Sequence, residues 1–153
     1  ARHHFCIFDA RSRGIFTGDT FGSAYPPLKR LTRGLIPTTT PVHFDPVALP
    51  HSINRLLELD PEKAYLTHYG ELVNPKAHGE SLKQWIAQFV DLCEAISPGP
   101  DDPIDELQTA LGQMIVNELQ SEMDPNDIQT LLSIDIKLNA QGILHWWHHN
   151  RHV

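Results

Sequence analysis

Apolar residues in the first part of the chain fall into short continuous runs, which is typical of buried strands. The segment "HFCIFDARSRGIFTGD" has an apolar run from Phe5 to Phe8, a polar turn from Ala10 to Gly14, and a second apolar pair at Ile15 and Phe16. Because two apolar runs joined by a short polar turn favour antiparallel pairing, we predict a β-hairpin here.

A long loop, a helix and a second buried strand are predicted next. Residues 20–44 are rich in Gly, Pro and Thr and show no period, which indicates a loop of the kind that often carries function. Asp45 and Pro46 are suited to be the N-cap and the first residue of the helix, although Pro50, about one turn later, delays its regular part. "KAYLTHYG" predicts a strand over Ala64–Leu66 that leads into His68.

The second half of the chain is predicted to be helical, because its apolar residues recur every three or four positions. We expect a helix around residues 82–93, a linker at 97–103, a helix over 104–119, and a third helix with Asp124 as cap and Pro125 at its first position. "NAQGILHWWHHN" predicts a short fourth helix. The apolar positions of the first two are Leu82, Trp85, Ile86, Phe89, Val90, Cys93, Ile104, Leu107, Leu111, Ile115 and Leu119.

Composition narrows the class of protein. The chain has 153 residues, of which 41% are hydrophobic and 20% charged, so it can bury a core. No apolar run approaches the about 20 residues that span a bilayer, and the net charge of −7 argues against nucleic acid or an anionic membrane as partner. Cys6 and Cys93 both lie in apolar runs, which favours core packing over a disulfide and predicts a cytoplasmic protein.

Two polar residues end the predicted strands. Asp19 follows Ile15 and Phe16 in "GIFTGDTFG", and His68 follows the second strand in "YLTHYG". If the two strands are neighbours, a carboxylate and an imidazole meet at one edge of the sheet, which suits a borderline divalent ion such as Zn²⁺. A chance spacing of two unrelated residues remains the alternative.

The same two segments resemble the second half of a metallo-β-lactamase superfamily hydrolase. In that family a strand ends in Gly-Asp, whose Asp bridges two metals, and a later strand ends in a His that binds the second metal. The resemblance implies that Asp19 and His68 hold these positions in a dinuclear site, most simply with Zn²⁺, or with Fe or Mn. It also implies an α/β fold: half of a four-layer αββα sandwich over residues 1–96, a linker at 97–103, and a helical C-terminal extension over 104–153.

The remaining ligands of that family do not occur in this sequence. Its His-x-His-x-Asp-His loop is missing, and its separate Gly-His ligand would align just before Ala1, so we expect a fragment that is inactive alone. His3 and His4 are predicted to lie at the start of a strand and not to be ligands. The expected partners are a small-molecule substrate and either the N-terminal half of the fold or a second copy that pairs through the C-terminal helices. The alternative is a non-catalytic interaction module with an incomplete metal site.

Several other residues are weaker candidates. Thr67 and Tyr69 are candidates to accept the other ring N–H of His68 and so orient it. Thr20 follows Asp19 directly, and His43 lies in the long loop, where it either lines a substrate pocket or is an ordinary loop residue. The C-terminal histidines share one helical face, which indicates a solvated surface more than a metal site; they are His145, His148, His149 and His152. The tryptophans Trp85, Trp146 and Trp147 are interpreted as packing residues.

Overall fold

The computed structural model describes residues 5–31, 33–39, 41–99, 101, 104–120 and 123–149. Within these ranges the chain forms a four-stranded mixed sheet, four α-helices and one short 3-10 segment, so the predicted α/β class is confirmed. In chain order the elements are β1 (Ile7–Asp9), β2 (Gly14–Phe16), the 3-10 segment (Gly18–Phe21), α1 (Ala48–Leu57), β3 (Lys63–Leu66), β4 (Gly70–Val73), α2 (Pro75–Ile96), α3 (Ile104–Leu119) and α4 (Pro125–His149).

Backbone contacts divide the chain into two compact units. Unit 1 consists of Ala1–Thr38 and Pro46–Ile86, and unit 2 of Thr39–Asp45 and Ala87–Val153. The division therefore falls within α2, whereas the sequence suggested a boundary at the linker 97–103. None of the helices in the described ranges combines the length and the hydrophobicity that crossing a bilayer requires.

The sheet of unit 1 has the order β1-β2-β3-β4. β1 and β2 pair antiparallel, which confirms the predicted hairpin, and β2 and β3 pair parallel across a connection that contains α1. β4 pairs antiparallel with β3 and was not predicted. Its sequence "GELV" has only Leu72 buried, so it lacks the apolar run that marks the other strands.

The pairing register sorts the strand residues onto two faces. Phe8, Ile15, Ala64 and Leu72 are cross-strand neighbours on one face, and the last three are at most 4% exposed. On the opposite face Ile7 is 52%, Phe16 50% and Val73 60% exposed. Tyr65 stacks on Phe16 on this face, with ring centroids 4.9 Å apart. The sheet thus has one buried face and one exposed face, on which these apolar side chains lie beside the Lys63–Glu71 ion pair.

Helix α1 begins later than the sequence predicted. Its first residue is Ala48 and its N-cap is Val47, so the prediction of Asp45 as N-cap and Pro46 as first residue was wrong. Pro50 is the third helical residue, where its missing N–H costs nothing because the first N–H groups of a helix have no intrahelical partner. The helix packs against α2 at Gly79, where a Cβ would lie 2.9 Å from Leu57 Cδ1.

Unit 2 is built mainly from α3 and α4. Asp124 caps α4 as predicted, because its Oδ1 accepts the N–H of Asn126 at 2.8 Å. The predicted fourth helix is not separate: α4 continues unbroken to His149. Near the middle of α4, Oδ1 of buried Asn139 accepts two hydrogen bonds from Thr39. One comes from the Thr39 N–H and one from its hydroxyl, and each is 2.9 Å long. This contact attaches the segment Thr39–Asp45 to the helix.

Candidate functional site

Asp19 lies just beyond the carboxyl end of β2. The β2–β3 ladder extends past Phe16, because the N–H of Thr17 donates to the Tyr65 carbonyl at 3.1 Å. The 3-10 segment then carries Asp19 and ends at Gly22, whose φ is +65° and whose N–H donates to the Asp19 carbonyl at 3.0 Å. A Cβ on Gly22 would lie 2.1 Å from the Ile36 carbonyl oxygen, so glycine is needed for this close approach.

His68 lies in the tight loop between β3 and β4. Leu66 and Gly70 are the last paired residues, which leaves Thr67, His68 and Tyr69 in the loop. Tyr69 and Gly70 both adopt positive φ, at +73° and +83°. Three-residue hairpin loops commonly need one residue in this left-handed region. The loop therefore presents His68 at the same edge of the sheet as Asp19, because β2 and β3 run parallel.

The two side chains meet as the sequence predicted. His68 Nε2 lies 3.6 Å from Asp19 Oδ1, and the side chains are 50% and 30% exposed. This separation is too long for a hydrogen bond, but it is close to what a shared cation imposes. Donors held at 2.0–2.2 Å from one ion, at angles of about 90–110°, lie roughly 3.0–3.4 Å apart. The two atoms would thus fit two neighbouring positions around one metal ion if they moved a few tenths of an ångström closer together.

The described part of the chain does not provide a complete metal site. Within it, no three His, Cys, Asp or Glu side chains are grouped closely enough to hold an ion. Asp19 and His68 are therefore two donors that need others. His3, His4 and His152 lie outside the described residues.

The other predicted site residues have different surroundings. Thr67 is exposed, and the ring centroids of Tyr69 and His68 are 6.5 Å apart. No described side chain makes a hydrogen bond to the second ring nitrogen of His68. Thr20 is 4% exposed and its hydroxyl lies 3.7 Å from Cys6 Sγ, so it points into the core. His43 is an exposed residue of unit 2, whereas Asp19 and His68 belong to unit 1.

The segment that follows Asp19 contacts the His68 loop at three points. Ser23 and His68 form an isolated parallel β-bridge. The ring of Tyr25 lies 4.3 Å from that of Tyr69, centroid to centroid. Lys29 Nζ donates to the carbonyl of Tyr69 and, at 3.3 Å, to that of Glu71. These contacts could not be predicted from the sequence, because Lys29 bonds to backbone carbonyls about 40 positions away, which no hydrophobic periodicity indicates.

The histidine and tryptophan clusters form no second site among the described residues. His145 and His149 stack with centroids 4.3 Å apart, and His148 is exposed. Burial, with smaller contributions from His149 and His43, lowers the pKa of His145. Trp85 is fully buried and donates to the Arg33 carbonyl at 3.1 Å, and the Trp147 indole donates to that of Pro98 at 2.9 Å. For these two tryptophans the packing interpretation is confirmed.

Comparison of the chain with known proteins identifies no relative. No family model matches, and searches of curated proteins and solved structures found no significant match. The interpretation of the site therefore depends on the Asp19–His68 geometry and on the resemblance of "FTGDTFG" and "YLTHYG" to metallo-β-lactamase segments.

Proposed function

We propose that this chain is the C-terminal part of a metal-dependent hydrolase of the metallo-β-lactamase superfamily, in which Asp19 and His68 are metal ligands. The observation that supports this most directly is the 3.6 Å separation of Asp19 Oδ1 and His68 Nε2 beyond the carboxyl ends of two parallel strands. Open α/β sheets bind ligands outside the carboxyl ends of their strands, which is where these residues lie.

Each residue has a distinct role in this proposal. The chemistry that two bound cations supply is the activation of a shared water against a carbonyl or phosphoryl centre. Asp19 has two carboxylate oxygens, so it can bridge two ions and offset part of their charge. His68 offers Nε2 as a neutral donor, and the mixed oxygen and nitrogen donors favour Zn²⁺, with Fe or Mn as the other choices. The substrate is a small molecule.

The remaining ligands are proposed to come from an N-terminal half of the same fold. The exposed face of the sheet supports such a partner, because Phe16 and Val73 are 50% and 60% exposed on it. A second sheet packed face to face would cover these side chains and complete a four-layer αββα sandwich. The two free cysteines agree with a reducing, cytoplasmic location.

The second candidate is a non-catalytic interaction module with an incomplete site. It is favoured by the lack of any group of three potential metal ligands in the described residues. The coding sequence upstream of Ala1 distinguishes the two. If it encodes His-x-His-x-Asp-His and a Gly-His just before Ala1, the enzyme is supported; if it encodes neither, the module is.

Metal binding by the chain itself can be tested by NMR. Mn²⁺ added to the ¹⁵N-labelled chain should broaden the amide signals of residues near Asp19 and His68 before those at the end of α4. The single variants Asp19→Asn and His68→Gln should each remove that selective broadening, whereas His148→Gln should not. Broadening confined to the histidines of α4, or unchanged in the Asp19 and His68 variants, contradicts the proposal.

A further inference from the structure

The loop that carries His68 has a backbone conformation that needs support. Tyr69 and Gly70 are consecutive residues with φ of +73° and +83°. Glycine adopts such angles freely, but a tyrosine does so rarely, because its Cβ crowds the following carbonyl. Since the conformation at Tyr69 sets the direction of the preceding residue, contacts that hold Tyr69 also determine where the His68 imidazole points.

Lys29 holds this loop through hydrogen bonds to its backbone. Its ammonium group donates to the carbonyls of Tyr69 and Glu71, which lie on either side of Gly70. A Cβ on Gly70 would lie 3.9 Å from Lys29 Nζ, so the ammonium group lies directly against the turn. A hydrogen bond with a charged donor is stronger than a neutral one, so one side chain holds the backbone on both sides of Gly70.

Lys29 belongs to the same segment as the other potential ligand. The 3-10 segment with Asp19 ends at Gly22, and Ser23 then pairs with both Ile36 and His68 as isolated bridges. Tyr25, further along, stacks on Tyr69. The residues that follow Asp19 therefore bind the His68 loop directly, and the Asp19–His68 distance depends on how firmly they do so.

We propose that Lys29 is a positioning residue for the metal ligand His68, acting through the Tyr69 and Glu71 carbonyls. This inference rests on the proposed function, because it gives Lys29 a role in cation binding. It also predicts a change in metal affinity opposite to the change that the loss of a positive charge would cause alone. Removing a positive charge near a cation site strengthens cation binding by Coulomb's law, whereas loss of positioning weakens it. Mutation of a residue that orients a metal ligand typically lowers metal affinity by about 10- to 100-fold.

The test compares three variants of the full chain. Lys29→Met removes the donors and the charge, Lys29→Arg restores both, and Arg30→Met removes an exposed charge from the neighbouring position as a matched control. Mn²⁺ affinity is measured from the paramagnetic broadening of the amides of Thr67–Gly70. Without metal, ¹⁵N relaxation of the same amides reports the order of the loop. Lys29→Leu serves in place of Lys29→Met if the latter does not fold.

The expected result has two parts. Lys29→Met should increase the mobility of the loop without metal and lower the Mn²⁺ affinity about tenfold or more, while Arg30→Met leaves the affinity unchanged or slightly higher and Lys29→Arg stays near the original chain. A mobile loop with unchanged affinity would mean that Lys29 is a structural contact only, and an unchanged loop would remove the basis of the inference. Two donors bind an ion weakly, so the titration is carried to a large excess of Mn²⁺. If no amide near Asp19 and His68 broadens selectively even then, the proposed function fails and this role with it, whatever the metal-free relaxation shows.

Discussion

Two glycines inside helices of unit 2 should respond in opposite directions to the same substitution. An alanine Cβ at Gly142 in α4 would lie 1.8 Å from the Thr39 carbonyl oxygen and 2.8 Å from its carbon. At Gly112 in α3 the nearest atom would be Ile136 Cδ1, at 3.6 Å, an ordinary contact. Both changes gain the helix propensity of alanine over glycine, about 1 kcal/mol. Only Gly142→Ala forces a neighbouring backbone to move.

The size of the Gly142 effect follows from the contacts that this movement breaks. A carbon and a carbonyl oxygen approach to about 3.3 Å, so Thr39 must retreat by roughly 1.5 Å. Its two bonds to Asn139 Oδ1, each 2.9 Å, are then lost. Each contributes about 1 kcal/mol, and a buried polar group without a partner costs about 1–3 kcal/mol more. After the helix-propensity gain, we expect a net destabilisation of about 2–4 kcal/mol.

Urea unfolding and thermal melting of the two variants measure this difference. For a chain of this size 1 kcal/mol shifts Tm by about 2–4 °C. Gly142→Ala should therefore lower Tm by roughly 4–16 °C, and Gly112→Ala should raise it by about 2–4 °C. If Gly142→Ala stabilises the protein as much as Gly112→Ala does, Thr39 is not packed against α4 and the reasoning fails.

Two further predictions concern unit 1. Burial lowers the pKa of His78 below its ordinary value of 6.5, so the unfolded chain takes up a proton first and stability should fall as the pH drops below about 6.5. The urea midpoints at pH 7.5 and 5.5 should accordingly differ less in His78→Gln than in the original chain, and equal differences would contradict this. Phe16→Ser, which removes a 50% exposed ring from the exposed sheet face, should reduce self-association in sedimentation experiments. Ile134→Ser, at a 69% exposed position of α4, should not. The reverse outcome would favour association through the C-terminal helices, and a monodisperse monomer of the original chain would contradict pairing by either surface.

The elements that the sequence predicted correctly are those with a local signal. The hairpin, β3 and α3 each have a continuous or periodic apolar run, and Asp124 with Pro125 is a local helix start. The meeting of Asp19 and His68 was predictable for the same reason, because two buried strands each ended in a polar residue. It required only the parallel pairing that a helical connection favours.

The predictions that failed concern residues whose structural role depends on a contact far away in the sequence. A separate fourth helix was predicted from Asn139 onward, and Asn139 and Gly142 are both poor helix formers. In the structure Asn139 is 2% exposed and bonds Thr39, and Gly142 provides room for the same residue, so α4 continues through both. Thr39 is 100 positions from Asn139, a separation at which no local pattern indicates a contact.

The residues that depart from the local sequence pattern of their elements are of two kinds. Asn139 and Gly142 break the local rules of a helix, but their contacts with Thr39 compensate within unit 2, so packing explains them. Asp19 and His68 are unlike them, because they are 30% and 50% exposed and their 3.6 Å separation is too long for a hydrogen bond. Natural sequences tend to violate local consistency at functional sites. In the proposed function this carboxylate and imidazole at the sheet edge, with Lys29 bonded to the backbone of the His68 loop, are where a metal would bind.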